Sequence, residues 1–156
     1  MREMNQIKRK LSDEVTFELL KNGEHGVLAL NGDDGYPYAV PITYSFFDGC
    51  IYFHGANHGY KIDIMKQNQK ACFNLFVNVE VMAEKFSAKY ESVIATGDIS
   101  FVEDKTEKNR ALEVLLDRFS PAFKETGMKY VHSDFGDKTT VFKMTIKEIS
   151  GKGKYS

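Results

Sequence analysis

Residues 36–61 read YPYAVPITYSFFDGCIYFHGANHGYK, and the succession of strand, turn, strand, loop and helix within them decides the fold. Tyr36 to Phe47 is rich in β-branched and aromatic residues, which favour strand. It also carries Pro37 and Pro41, and a proline cannot donate to a ladder, so a regular central strand is not expected there. Asp48-Gly49 is a hairpin signal joining this run to a second strand, Cys50–His54. Gly55-Ala56-Asn57-His58-Gly59 then forms a loop leading into a short helix, Tyr60 to Gln67, which Asn68 can close.

Working outward, Ser12 followed by Asp13 and Glu14 marks a helix start, with Val15, Phe17, Leu19 and Leu20 as apolar contacts and Gly23 as a stop. Val27 to Leu30 reads as a buried strand, closed by a turn over Gly32-Asp33-Asp34-Gly35. Downstream, Ala71 to about Val77 is a strand, residues 78–89 are ambiguous, and Tyr90 to Val102 is a long strand with a bend at Gly97. Asp104 and Glu107 have capping-box spacing, and Leu112, Leu115, Leu116 and Phe119 fall on one helical face that ends at Pro121. A last strand spans Val141 to Ile149, where Phe142, Met144 and Ile146 alternate but Val141 and Ile149 blur the pattern. Hairpin-length connections imply antiparallel pairing. The expected fold is mostly β, a six-stranded antiparallel barrel with flanking helices in one domain over residues 1–156.

The composition narrows the function classes. With 21 basic and 22 acidic residues among 156, the chain lacks the basic excess of a nucleic-acid binder. No Lys-rich amphipathic segment points to a membrane surface, and no apolar run reaches the roughly 18 residues of a membrane span. The first residues, MREMNQIKRKL, are charged and do not read as a signal peptide. Cys50 and Cys72 lie far apart without a CxxC pairing, so two buried, reduced thiols are expected. The expectation is a soluble, cytoplasmic protein.

Three segments carry candidate chemistry. The Gly55–Gly59 loop and the helix start after it would let free backbone N–H groups approach an anion, most naturally a phosphate. Lys61 falls in the first helical turn, where a cation opposes the helix dipole unless an anion sits between them. The same residues also fit an ordinary strand–helix connection with a solvated lysine. Pro41 removes one ladder donor, so backbone groups near it could face a planar heterocycle, or simply an edge. Ser92 enters an apolar strand beside Glu91, as a ligand contact or as a barrel-mouth residue. Cys50, Tyr52 and His54 share one strand face that could hold a haem or a transition metal, or pack. His54 and His58 are four apart, but Gly55 and Gly59 oppose the helix that would align them, and no dedicated metal site is expected. Asp134-Phe135-Gly136 lacks every other kinase feature.

Tyr52-Phe53-His54-Gly55-Ala56 with Gly59 and Lys61 resembles the pyridoxamine 5′-phosphate oxidase-like flavoproteins, and within them the 5-nitroimidazole-resistance branch. The match takes in Gly35-Tyr36-Pro37-Tyr38 and Val40-Pro41, then Tyr90-Glu91-Ser92-Val93 with Gly97, and Ile149-Ser150-Gly151-Lys152. The resemblance implies a split-barrel homodimer with FMN at the subunit interface. It assigns ring contacts to Pro41, Ile42, Thr43 and Tyr44, and flavin and phosphate contacts to Phe53, His54, Gly55, Ala56, Gly59 and Lys61. Glu91, Ser92 and Val93 would approach the flavin from the partner strand. The activity implied is an FMN-dependent oxidoreductase, a nitroreductase moving electrons from a nicotinamide donor to a small planar acceptor, with His54 the closest candidate proton donor. A non-catalytic flavin or haem carrier or stress sensor, and a deazaflavin binder, stand as alternatives. Tyr60 precedes the lysine where the oxidase usually has arginine, and no tryptophan or arginine follows Gly151, so pyridoxamine phosphate oxidation is not expected.

Overall fold

Ser12 starts the first helix as its position predicts: its Oγ accepts the Val15 N–H at 3.3 Å. In the computed structural model, which describes residues 1–156, this helix is α1 (Asp13–Asn22). Strands β1 (His25–Asn31), β2 (Pro37–Thr43), β3 (Ser45–Phe47) and β4 (Cys50–Ala56) follow, then α2 (Tyr60–Gln67), β5 (Lys70–Met82) and β6 (Ser87–Phe101). Helices α3 (Lys105–Phe119), α4 (Lys124–Val131) and α5 (Asp134–Asp137) lead into β7 (Thr139–Lys154). Asp104 caps α3 by accepting the Glu107 N–H at 2.7 Å.

The strands form one antiparallel sheet in the order β2-β1-β5-β6-β7-β4-β3. β2 and β3 stand at opposite edges of that order, yet only Tyr44 separates them in the chain. The sheet therefore curls until its edges meet, giving a barrel split where the chain leaves β1 for β4. This corrects the expected count of six strands to seven, because the run Tyr36–Phe47 changes partners at Tyr44. Its first half pairs only with β1, so Pro37 and Pro41 occupy an edge strand and interrupt no second ladder. Tyr44 turns inward at the split, its hydroxyl donating to the Leu20 carbonyl at 2.6 Å and its ring edge-on to Phe73.

The barrel interior is filled by Phe53, Phe73, Phe142, Leu28, Leu75 and their neighbours, all out of reach of water. A second cluster, Tyr52, Val102, Ala111, Leu112, Leu115 and Val141, lies between the outer face of β4 and β7 and helix α3. The ambiguous residues 78–89 form the end of a β5–β6 hairpin, where a register shift sits beside Asn78 at φ +54° and the turn closes through Phe86 at φ +50°. The last strand runs five residues past the expected Ile149, to Lys154. A bulge opposite Thr96 and Gly97 shifts its phase, so Phe142 and Met144 point inward before it and Ile149 packs on the core after it. That shift is what blurs the alternation in the sequence. Beyond Pro121, where the sequence pattern ends the apolar helix, the chain forms two further short helices, α4 and α5. Cys50 and Cys72 are free thiols on non-neighbouring strands, half-buried rather than fully buried as expected.

Candidate functional site

The corner between β4 and α2 brings small residues, a helix start and a lysine together. β4 ends in Gly55 and Ala56, whose small side groups leave the backbone open, and Gly59 begins α2 at φ +118°, a conformation that side chains rarely adopt. No side chain caps α2, so its first N–H groups have no side-chain acceptor, although Asp63 places a carboxylate in the same turn. Lys61 folds back over the strand end, with its Nζ 3.3 Å from where a Cβ on Gly55 would stand. None of the chain's ion pairs involves Lys61. Lys61 is half-buried, forms no ion pair and stands next to an uncapped helix start, a donor set whose chemistry suits an anion. The group fits a phosphate monoester, as FMN carries. Tyr60 takes no part, since its hydroxyl donates to Asp33 Oδ1 at 2.7 Å.

His54 lies on the outer face of β4, one residue from Gly55, opposite Val141 of β7. Although His54 is exposed at the surface, the protein packed around its ring and the nearby Lys61 charge both disfavour the charged imidazole and hold it below the usual histidine range. Thr43, the last residue of β2, lies across the split, its Oγ1 3.0 Å from His25 Nδ1. His54 and Thr43 both open into a cavity of about 460 Å³ roofed by α3, α4 and α5. Pro41 is exposed on the same edge strand, and Ile42 packs toward the barrel core.

Tyr44 and Phe53 are completely buried, main chain included, and the Tyr44 N–H already donates to the Glu24 carbonyl at 3.3 Å. Val93 is buried in the core as well. Ser92 opens into a different cavity, with Lys10 and Lys152 among its walls, and Glu91 accepts the Tyr155 hydroxyl at 2.8 Å. Within one chain, then, Thr43 and His54 share a cavity and Lys61 reaches back to Gly55 at the end of the same strand, while Glu91, Ser92 and Val93 do not join them. The Cys50–Tyr52–His54 face is covered by α3: the Tyr52 ring stacks on Phe47 at 4.1 Å and its hydroxyl donates to Glu107 at 2.8 Å. No cluster of three His, Cys, Asp or Glu side chains is arranged for a metal ion. The sequence reading missed the cavity's roof, Tyr130, Val131 and Phe135. Ser133, which caps α5 by accepting the Phe135 N–H at 3.2 Å, is the signal that could have disclosed it.

The sequence profile of the pyridoxamine 5′-phosphate oxidase family matches residues 12–153. No curated protein sequence matches the chain. Among solved structures, the chain is similar to a protein provisionally assigned to 5-nitroimidazole antibiotic resistance, from Bacteroides thetaiotaomicron. The TM-score is 0.74 at 18% identity, over 92% of this chain and 86% of that one. An FAD-binding protein from Mesorhizobium loti superposes with a TM-score of 0.70 at 23% identity, over 94% of this chain and 98% of that one. An FAD- and haem-binding protein from Mycobacterium smegmatis gives 0.81 at 20% identity, over 95% and 74%. At these identities the likeness is one of fold. No helix is long and apolar enough to cross a membrane.

Proposed function

The chain belongs to the pyridoxamine 5′-phosphate oxidase family, and on that premise we propose that it binds FMN at the barrel split and works as a flavin-dependent oxidoreductase, a nitroreductase. The observation that carries this reading is the unpaired Lys61 over Gly55 at the uncapped start of α2. Bound FMN would supply the redox chemistry. Lys61 and the α2 N–H groups would hold its phosphate, while the backbone of Pro41 to Thr43 on the edge strand would offer donors and acceptors to the ring's polar rim. Neutral His54 would donate or accept one hydrogen bond beside the ring. Solved relatives of this fold that bind FAD, and one provisionally assigned to nitroimidazole resistance, support the reading.

We further propose a homodimer. Phe76, Val81 and Phe86 along the β5–β6 hairpin are 57%, 75% and 98% exposed, a degree of apolar exposure that a second copy would relieve. A partner's β6 would also bring Glu91 and Ser92 toward the flavin, which one chain alone does not do. Pyridoxamine phosphate is not the favoured substrate. Its own phosphate would need a second cation, and the cavity beside His54 has no charged side chain among its 13 lining residues.

An anaerobic stopped-flow experiment on FMN-loaded protein tests the activity. NADH or NADPH should bleach the flavin band, and a nitroaromatic should restore it. Pyridoxamine phosphate should not bleach it at a useful rate, because an unanchored substrate is not held against the ring. Rapid bleaching by pyridoxamine phosphate would overturn the reading, and no bleaching by any donor would favour a flavin or haem carrier.

A further inference from the structure

Helix α3 presents more apolar surface than the core uses. Leu112 and Leu115 are buried against β4 and β7, while Leu116 and Phe119, on the same face, remain partly uncovered and line the 460 Å³ cavity. Opposite them stand Val131 and the T-shaped pair of Tyr130 and Phe135, with ring centroids 6.0 Å apart, 59% and 65% exposed at the rim. Gly127 lets α4 approach this closely, since a Cβ there would stand 2.4 Å from Leu116 Cδ2. Hydrogen-bonding groups are few: the imidazole of His54 and the hydroxyls of Thr43, Ser120 and Thr139 are side-chain partners in an otherwise apolar chamber, with the Tyr130 hydroxyl at the rim.

Charge separates this chamber from the rest of the molecule. Each of the four other sizeable cavities carries charged side chains, such as Lys70 and Asp98 in one and Arg2 and Glu148 in another. This one carries none. An anion entering it would exchange water for an apolar wall with no cation among the groups that line it, since Lys61 beside His54 and Arg118 against the Phe119 ring stand outside the lining, whereas an uncharged aromatic ring would lose nothing comparable. A volume of a few hundred Å³ with apolar walls and a few convergent polar groups is what small-molecule sites share.

We propose that the chamber beneath α3, α4 and α5 is the acceptor site, selective for an uncharged aromatic molecule whose one polar group faces His54 and Thr43. The proposal rests on the FMN reading in one respect: phosphate at Lys61 and ring contacts at Thr43 put the flavin at the chamber's mouth. The walls select by charge before any chemistry occurs.

Equilibrium dialysis of the oxidised, FMN-loaded protein, with no electron donor present, tests this by binding alone. The probes are 4-nitrotoluene and 4-nitrobenzoate, similar in size and different in charge. The wild type should bind about one 4-nitrotoluene per protomer and hold 4-nitrobenzoate at least about tenfold more weakly. Val131→Trp should fill the chamber and weaken 4-nitrotoluene by a similar factor. Leu116→Lys should invert the preference, gaining 4-nitrobenzoate, a result that a misfolded variant would not give. Equal binding of both probes by the wild type, or 4-nitrotoluene binding unchanged in both variants, overturns the proposal. FMN content is read in the same samples. Protein that holds FMN but does not discriminate the probes refutes the chamber alone, and protein that discriminates them without retaining FMN refutes the flavin reading and, with it, the chamber's role as an acceptor site.

Discussion

Replacing Lys61 with methionine keeps the aliphatic stem and removes the charge, so it isolates the electrostatic contribution of the β4–α2 corner. Lys61 is half-buried and has no carboxylate partner, so the folded protein loses no ion pair and its stability should barely change. A cation about 4 Å from a single negative charge is worth about 4 kcal/mol at an effective dielectric constant near 20. Partial exposure of Lys61 and continued help from the α2 N–H groups reduce this to the range of one charge-assisted hydrogen bond, about 1.5–3 kcal/mol. FMN affinity should therefore fall by roughly 10- to 150-fold. Riboflavin has no phosphate and should lose less than about threefold, and Lys61→Glu should weaken FMN more than Lys61→Met does. Titration of flavin fluorescence at two salt concentrations measures all of these values. Equal losses for FMN and riboflavin would refute the phosphate assignment, as would unchanged FMN affinity in Lys61→Glu.

Other expectations concern the scaffold and His54. Tyr44→Phe strands the buried Leu20 carbonyl and should cost about 1–3 kcal/mol, read as a lower denaturation midpoint with unchanged slope. Gly97→Ala sets a Cβ 2.0 Å from the Thr145 carbonyl oxygen at the β7 bulge, a backbone clash worth about 1–3 kcal/mol or more. Because the folded protein holds the His54 imidazole below 6.5, the unfolded chain binds a proton that the native state refuses as pH falls from 6.5 toward the lowered value. Wild type should lose stability in that window relative to His54→Gln and show no difference in pH dependence above it, and parallel curves throughout would contradict the assignment. A phosphate at Lys61 should offset the ammonium and raise the His54 titration point, visible by NMR as FMN is added.

The sequence made the local chemistry legible where one residue decides a conformation. Ser12, Asp104 and Gly59 mark helix starts, and Asp48-Gly49 marks the hairpin, because capping and turn geometry depend on nearest neighbours. The α2 boundaries and the gathering of Gly55, Gly59 and Lys61 follow from the same local rules. What depended on distant partners was hidden. The exchange of partners at Tyr44 needs β1 and β4 already in place, and the phase shift in β7 is set by Gly97 on another strand. The roof over His54 was missed for a related reason: α4 and α5 are only eight and four residues long, and they are held by packing of α4 on α3 and of α5 on α4 and β7.

The most direct test of the flavin account is to identify what the purified protein carries and can take up. Protein from a flavin-replete host, denatured under mild conditions, should release a yellow chromophore with the mass of FMN, and stripped protein should rebind about one FMN per protomer. In sedimentation the reloaded protein should be a dimer, tightened by FMN through linkage. Release of a deazaflavin or haem instead, or a colourless protein that cannot be reloaded with FMN, would contradict it.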